Sequence, residues 1–213
     1  MKTSLDQDLF LDTKFGTIST CTLSRGSTLP AAEFECAVTV LNGSAQAEGV
    51  GLNQGDGVYG PSEVVVTSDR ATLLVLRTHA TAGNPKTWRY APAENRTDGV
   101  LCDTGGFTDM GVRWLATTDT VGSKDLVVAT STFLPDGSHG AHRHPHADEF
   151  FLVTEGGGEH LTPDGPIPMT AGDLVLVPAG EWHGFRATTG VTTAVYGYLG
   201  AGSLHQAGYE LED

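Results

Sequence analysis

The chain has 213 residues, 26 acidic and 12 basic side chains, and a formal net charge of −14 at pH 7. An acidic balance without a Lys/Arg cluster repels phosphate backbones and excludes nucleic acid as a partner, and no apolar run approaches the ~20 residues of a membrane helix. A hydrophobic content of 39% against 18% charged supports a packed core and excludes a disordered acidic tail.

Along the chain, the opening stretch Met1 to Asp8 turns acidic before any apolar run forms, unlike a secretory leader. Cys21, Cys36 and Cys102 are odd in number and widely spaced, which fits reduced thiols in a cytoplasmic protein. Helical patterning is scarce: 28 glycines and 10 prolines punctuate short runs of Val, Thr, Leu and Phe. Ala37 to Leu41, Glu63 to Thr67 and Thr72 to Leu76 read as strands in the first half; Leu126 to Thr130, Phe150 to Val153 and Leu174 to Val177 do so in the second. Short strands at even spacing predict an all-β sandwich or barrel. The stretch from Ala80 to Gly106 shows no strand alternation and is the natural linker.

The two halves resemble one another. Leu23-Ser24-Arg25-Gly26-Ser27 stands against Leu134-Pro135-Asp136-Gly137-Ser138, and each leads through a polar turn to a strand that ends at glycine, Gly43 or Gly156. Gly55-Asp56 then precedes Pro61 at the spacing with which Gly172-Asp173 precedes Pro178. Three matches in one order predict a duplicated β-domain. Small halves bury limited apolar surface each, so they are expected to pack face to face, with a homodimer through exterior strands.

Eight histidines are present, four of them between His139 and His146. In an extended strand His142 and His144 share a face, about 7 Å apart, while Arg143 points away. Pro145 cannot donate to a sheet ladder, so the strand should stop there, turn, and restart with Glu149 facing back. An apolar strand, Leu174 to Val177, delivers the chain through Pro178-Ala179-Gly180 to His183. Three imidazoles and one carboxylate suit a divalent transition metal (Fe, Mn, Ni, Co, Cu or Zn) and leave open coordination positions for a substrate. His146 shares the parity of His142 and His144, and a 144/146 ligand pair is the alternative. The spacing to Glu149 favours His144, which leaves His146 at the rim. His139 is expected to be solvated, with a place at the pocket mouth as the other option. His160, after the Gly156-Gly157-Gly158 turn, is either a surface imidazole or an inward proton shuttle. Phe151 shares the inward parity of Glu149, and Tyr196 and Tyr198 share one face of the last long strand; all three are candidate pocket residues. Arg143 and Arg186 read as surface charges, and the acidic stretches as solvated faces.

These residues resemble the cupin superfamily. Its first motif is matched by His142-x-His144-x4-Glu149-x6-Gly156 and its second by Gly172-x5-Pro178-x-Gly180-x2-His183. The second departs at its end, where the family often has Asn and this chain has Ala187; the first departs upstream, where the leading Gly falls at Asp136. The resemblance implies two tandem cupin-type barrels (double-stranded β-helix, jelly-roll-like): residues 1–95 without a metal site and residues 96–213 with one. The first half has no histidine before His79, and the repeat places Cys36 where Glu149 stands and Val66 where His183 stands.

By the same resemblance, His142, His144, Glu149 and His183 would hold one divalent transition metal (Fe, Mn, Ni, Cu or Zn); Glu149, and His160 by its place after the glycine turn, are the candidate catalytic groups. The implied activity is that of a metal-dependent dioxygenase or other oxidoreductase. Its substrate would be a small organic acid, phenol or dicarbonyl, with O2 as co-substrate. A redox-neutral isomerase, cyclase, lyase or hydrolase using the same metal is the second reading, and a small-molecule-binding barrel without turnover the third.

Overall fold

A computed structural model describes residues 2–4, 8–90 and 106–212. The 95/96 boundary and Cys102 lie outside them, while Cys21 and Cys36 are free thiols. The described chain is all-β apart from two helices of four residues each, α1 (Thr118–Val121) and α2 (Leu204–Ala207). No helix in it is long and apolar enough to cross a membrane. The first part contains β1 (Lys2–Ser4), β2 (Phe10–Asp12), β3 (Gly16–Ser24), β4 (Thr28–Leu29), β5 (Phe34–Asn42), β6 (Ala45–Ala47), β7 (Val50–Leu52), β8 (Gly57–Tyr59), β9 (Val64–Val66), β10 (Arg70–Thr81) and β11 (Lys86–Trp88). The second contains β12 (Phe107–Ala116), β13 (Val128–Arg143), β14 (Asp148–Glu155), β15 (Gly157–Leu161), β16 (Ile167–Thr170), β17 (Asp173–Val177), β18 (His183–Ala187), β19 (Thr192–Leu199) and β20 (Glu210–Leu211).

Strand order is the same in both parts. The first has sheets β11-β8-β5-β10-β3-β2 and β4-β9-β6-β7; the second runs β17-β14-β19-β13-β18-β15-β16, with β12 on β13. The 16-residue β13 serves as one strand where β3 and β4 serve as two, since a turn at Gly26 (φ 78°) divides them. The strand flanking each Gly-Asp segment has a different origin: β11, which follows it in the chain, pairs with β8, whereas β1, from the start of the chain, pairs with β17. Residues 2–4 therefore sit in the second sheet, which a division at 95/96 did not foresee. Likewise β11 lies inside the expected linker, because three edge residues are too few to show alternation.

The repeated Gly-Asp pair has a local cause. Gly55 and Gly172 adopt φ 85° and 93°, the left-handed region that costs glycine nothing. The following carboxylates then accept the backbone N–H three residues back, Asn53 N to Asp56 Oδ2 at 2.9 Å and Thr170 N to Asp173 Oδ2 at 2.8 Å. Each also meets a cation from its flanking segment, Arg89 at 2.7 Å and Lys2 at 2.9 Å. The leading-Gly position, Asp136, adopts φ 65°, so it keeps the glycine-like turn in a residue that tolerates it.

Three apolar layers alternate with the two long sheets. Val38 and Val40 of β5, with Leu73 and Val75 of β10, face a core inside the first part. Ala37, Leu74 and Leu76 point the other way and meet Phe150, Leu152, Val195 and Leu199 of the second. Phe151, Val153, Ala194, Tyr196 and Tyr198 face the third layer, within the second part. Burial on both faces explains why these strands read as continuous apolar runs. The parts pack sheet to sheet, and the third layer surrounds the histidines.

Asp173 gives a pH-dependent test of β1 docking. Burial raises its carboxyl pKa, but the Thr170 N–H, then Lys2 and the Thr170 hydroxyl, outweigh that and hold it below the ordinary 3.8. A lowered folded pKa means stabilisation that is full above 3.8 and is lost as the pH falls through the folded value. Asp173→Asn is expected to cost roughly 1–2 kcal/mol at pH 7. Urea titrations of both proteins should differ at pH 7 and converge well below pH 3.8.

Candidate metal centre

The two histidine segments are tied together by their turns. β13 stops at Arg143, ahead of Pro145, and β14 restarts at Asp148. In the second segment Gly180, at φ 85°, turns its N–H onto the His144 carbonyl at 2.9 Å, and the Ala179 N–H reaches Asp148 Oδ1 at 2.9 Å. That docking sets β18 beside β13 with His183 opposite His142. Glu149 enters from β14, on the same inner surface. The potential ligand atoms of His142, His144, Glu149 and His183 lie within 4.8 Å of one another, and all four residues are buried.

Tautomers are fixed by the backbone. His142 Nδ1 faces the Gly140 carbonyl at 2.8 Å, His183 Nδ1 the Glu181 carbonyl at 3.0 Å, and His144 Nδ1 the Gly208 carbonyl at 2.6 Å. A carbonyl only accepts, so each Nδ1 carries the hydrogen and each Nε2 presents a lone pair inward. Those three Nε2 atoms are buried and make no hydrogen bond; Glu149 Oε2 lies 3.0 Å from His144 Nε2 and 3.3 Å from His183 Nε2 without hydrogen-bonding geometry. Three converging lone pairs beside a carboxylate oxygen fit a cation.

Electrostatics favour a neutral His142 and an ionised Glu149, while Glu149 draws positive charge toward His183. Burial, reinforced by His183, pushes His142 down to about 3. Burial works to raise Glu149, yet His183 and His144 hold it well below the usual carboxylate range. For His183 the lowering by burial is outweighed by Glu149, and its pKa ends above 6.5.

Around this group, Tyr198 packs on His144 with ring centroids 4.6 Å apart, and Phe151 sits between Phe185 (4.8 Å) and Tyr196 (6.4 Å). Burial, followed by neighbouring acidic groups, keeps both tyrosine pKa values well above 10. His160 points inward and is 5% exposed, 6.0 Å ring to ring from His183; burial and then His183 lower it to about 4. A cleft of about 610 Å³ opens beside His160 and His183, bounded by Thr162, Pro166, Val177 and Trp182. On the other side, a cavity of about 20 Å³ lies among Ser131, Phe133, Glu149, Phe151 and Tyr196. His146 is exposed and outside the group. Arg143 and Arg186 pair with Glu210 and Glu159.

Residues 129–196 match the cupin domain family. Protein SchB of Streptomyces halstedii is 33% identical over 89 residues, 42% of this chain and 64% of that one, so the match spans less than two thirds of the relative's length. Among solved structures, the fold is similar to a mutant of salicylate 1,2-dioxygenase from Pseudoaminobacter salicylatoxidans (TM-score 0.73, 14% identity, 96% of this chain and 79% of that one). It is also similar to a mutant of the same enzyme in complex with gentisate (0.72, 13% identity, 96% and 77%) and to a cupin 2 conserved barrel domain protein from Leptotrichia buccalis (0.64, 16% identity, 91% and 88%). At these identities the likeness is one of fold. It extends beyond the matched residues 129–196 to most of the chain.

His139, expected in solvent or at the pocket mouth, is half-buried beside the ligand histidines. Its ring stacks on His142 at 3.6 Å and on Phe107 at 4.2 Å, and its Nε2 lies 2.9 Å from the Tyr209 hydroxyl. Residues three apart on a regular strand face opposite ways, but the register of β13 on β18 shifts between His139 and His142. Sequence reading passed over Tyr209, Gly208 and Ser131; no spacing signal marks contacts that arise 60–70 residues apart.

In the first part, Cys36 and Val66 both belong to the apolar core. Burial raises the Cys36 thiol to about 11, against a small opposing effect of Arg77, so it is a poor ligand at neutral pH.

Proposed function

We propose that the chain is a metal-dependent enzyme in which His142, His144, Glu149 and His183 bind one divalent transition metal (Fe, Mn, Ni, Cu or Zn). The observation that carries this reading is the convergence of three buried, unbonded Nε2 atoms on the Glu149 carboxylate. The first part is proposed to be a cupin-type barrel without a metal, on the strength of the shared strand order. Free thiols at Cys21 and Cys36 fit a cytoplasmic location, and a homodimer is part of the same reading.

The favoured activity is that of a dioxygenase or oxidoreductase on a small organic acid, phenol or dicarbonyl, as the fold likeness to salicylate 1,2-dioxygenase supports. The bound ion would supply Lewis acidity and, if redox-active, electron exchange with O2. The chain's own residues do the rest. The His160–His183 cleft admits the substrate. Phe133, Phe151 and Phe185 line the inner wall and exclude water, while Tyr196 and Tyr198 stay protonated. His160, neutral at pH 7, is placed to take a proton from a substrate hydroxyl or enol on a ring nitrogen. That placement also serves a redox-neutral isomerase, cyclase, lyase or hydrolase, which is the second reading.

Metal analysis of the purified protein followed by strictly anaerobic incubation with candidate phenols, dicarbonyls and acids separates the two. The favoured reading expects bound metal in stoichiometric amount and no turnover until O2 is admitted. Product formed without O2 would eliminate the dioxygenase; protein that takes up no metal would eliminate both.

A further inference from the structure

We infer that the C-terminal segment 203–212 completes the metal centre, with the Gly208 carbonyl and Tyr209 as positioning groups. The inference rests on the proposed metal reading for its binding consequence, but not for its structural one. Two of the three histidines are oriented by their own neighbourhood: His142 by Gly140 and His183 by Glu181, each two residues away. His144 depends instead on a carbonyl 64 residues later in the chain.

The segment that carries this carbonyl is bound along its whole length. α2 is capped by Ser203, and Ala207 is fully buried in the layer that surrounds the histidines. The Ala207 carbonyl takes the His146 N–H at 3.0 Å, and the Glu212 N–H returns to the Ala141 carbonyl at 3.1 Å. Between them β20 pairs with the last residues of β13, Leu211 opposite His142 and Glu210 opposite Arg143, and Glu210 accepts from the Arg143 guanidinium at 2.6 Å.

Two features direct this clamp at the ligands and not merely at the strand. Gly208 adopts φ 78°, which aims its carbonyl at His144; a Cβ there would come within 2.9 Å of the Pro145 ring. Tyr209 bonds His139, whose ring lies flat on His142, and its own ring is 5.3 Å from His142 and 5.9 Å from His144. The segment thus holds His144 directly and His142 through a stacked imidazole. Partners behind metal-binding histidines fix the ring and raise its basicity, and their loss typically weakens metal binding about 10- to 100-fold.

The test uses the full chain with Gly208→Ala, Tyr209→Phe and, on the exposed face of the same segment, His205→Ala. Nitrogen NMR of the imidazole rings in metal-free protein should show His144 protonated at Nδ1 in the wild type, and a tautomer mixture in Gly208→Ala. Chelator competition with Zn(II) and with Mn(II) should give a dissociation constant about 10- to 100-fold weaker in Gly208→Ala and several-fold weaker in Tyr209→Phe. His205→Ala should match the wild type. Tyr209→Phe keeps the ring, so an unchanged melting temperature in that variant separates positioning from folding. Wild-type affinity in both Gly208→Ala and Tyr209→Phe, or His144 protonated at Nε2 in the wild type, would overturn the inference. Failure of the wild type to bind either ion would overturn the metal reading alone, since the NMR tautomer still reports on the clamp.

Discussion

Replacing His144 or His183 by alanine is expected to deprive the protein of its metal, while replacing His146 is expected to leave most of it in place. Structural zinc sites with four ligands bind with about 10–16 kcal/mol, so one ligand accounts for roughly 3–4 kcal/mol, or a dissociation constant weakened a few hundred-fold or more. His144 and His183 each present a buried Nε2 to the centre, and both lie within 3.3 Å of Glu149. His146 is one strand position beyond His144 in parity, yet the turn at Pro145 leaves it exposed. Inductively coupled plasma measurements on the three variants and the wild type, purified side by side, give the metal content directly. A full metal load in His144→Ala would remove His144 from the site, whereas loss of metal in His146→Ala would favour the 144/146 pair. Lower pH should weaken the wild-type site, because protons compete for the same lone pairs.

That contrast between neighbouring histidines was visible in the sequence because the local rules suffice there. Period-two alternation puts His142 and His144 on one face, a proline ends the strand after them, and Pro178-Ala179-Gly180 turns His183 back toward them. The strands were legible for a similar reason: β5, β10, β14 and β19 are covered on both faces, so each reads as an apolar run whatever its neighbours. His139 was harder to place, because β13 runs through a stretch that reads as a loop and its register shift turns the ring onto His142. Gly208 and Tyr209 had no signal because their role arises from a return of the chain, not from a pattern within it. β1 was hidden likewise, being three residues that pair with a strand more than 160 positions away. The reading of the acidic stretches as solvated faces did not anticipate the buried Asp56, Asp148 and Asp173, nor Glu35.

Glu35 is completely buried at the junction of the two parts, and its substitution should be among the most destabilising single changes in the chain. Its Oε1 accepts from the Tyr59 hydroxyl at 2.7 Å, the Lys124 N–H at 2.7 Å and the Ser123 hydroxyl at 3.1 Å; its Oε2 accepts from the Asp125 N–H at 2.9 Å and the Thr78 hydroxyl at 3.0 Å. Tyr59 and Thr78 belong to the first part, Ser123, Lys124 and Asp125 to the loop that leads into β13. One carboxylate therefore joins the sheets on either side of the shared apolar layer. Glu35→Ala removes all five bonds and leaves the part-buried Lys124 and Asp125 N–H groups without that acceptor. The expected loss is about 3–5 kcal/mol, from the cost of breaking a buried charged network. Glu35→Gln keeps the volume but turns an amide NH2 toward groups that donate, so it should recover only part of that loss. For a chain of this size each kcal/mol moves the melting temperature by roughly 2–4 °C, which puts the alanine variant some 6–20 °C below the wild type. Arg25→Ala provides the contrast, since its pair with Asp69 is exposed on both sides and should contribute little. Calorimetry that finds Glu35→Ala and Arg25→Ala equally stable would show that the apolar layer alone holds the two parts together.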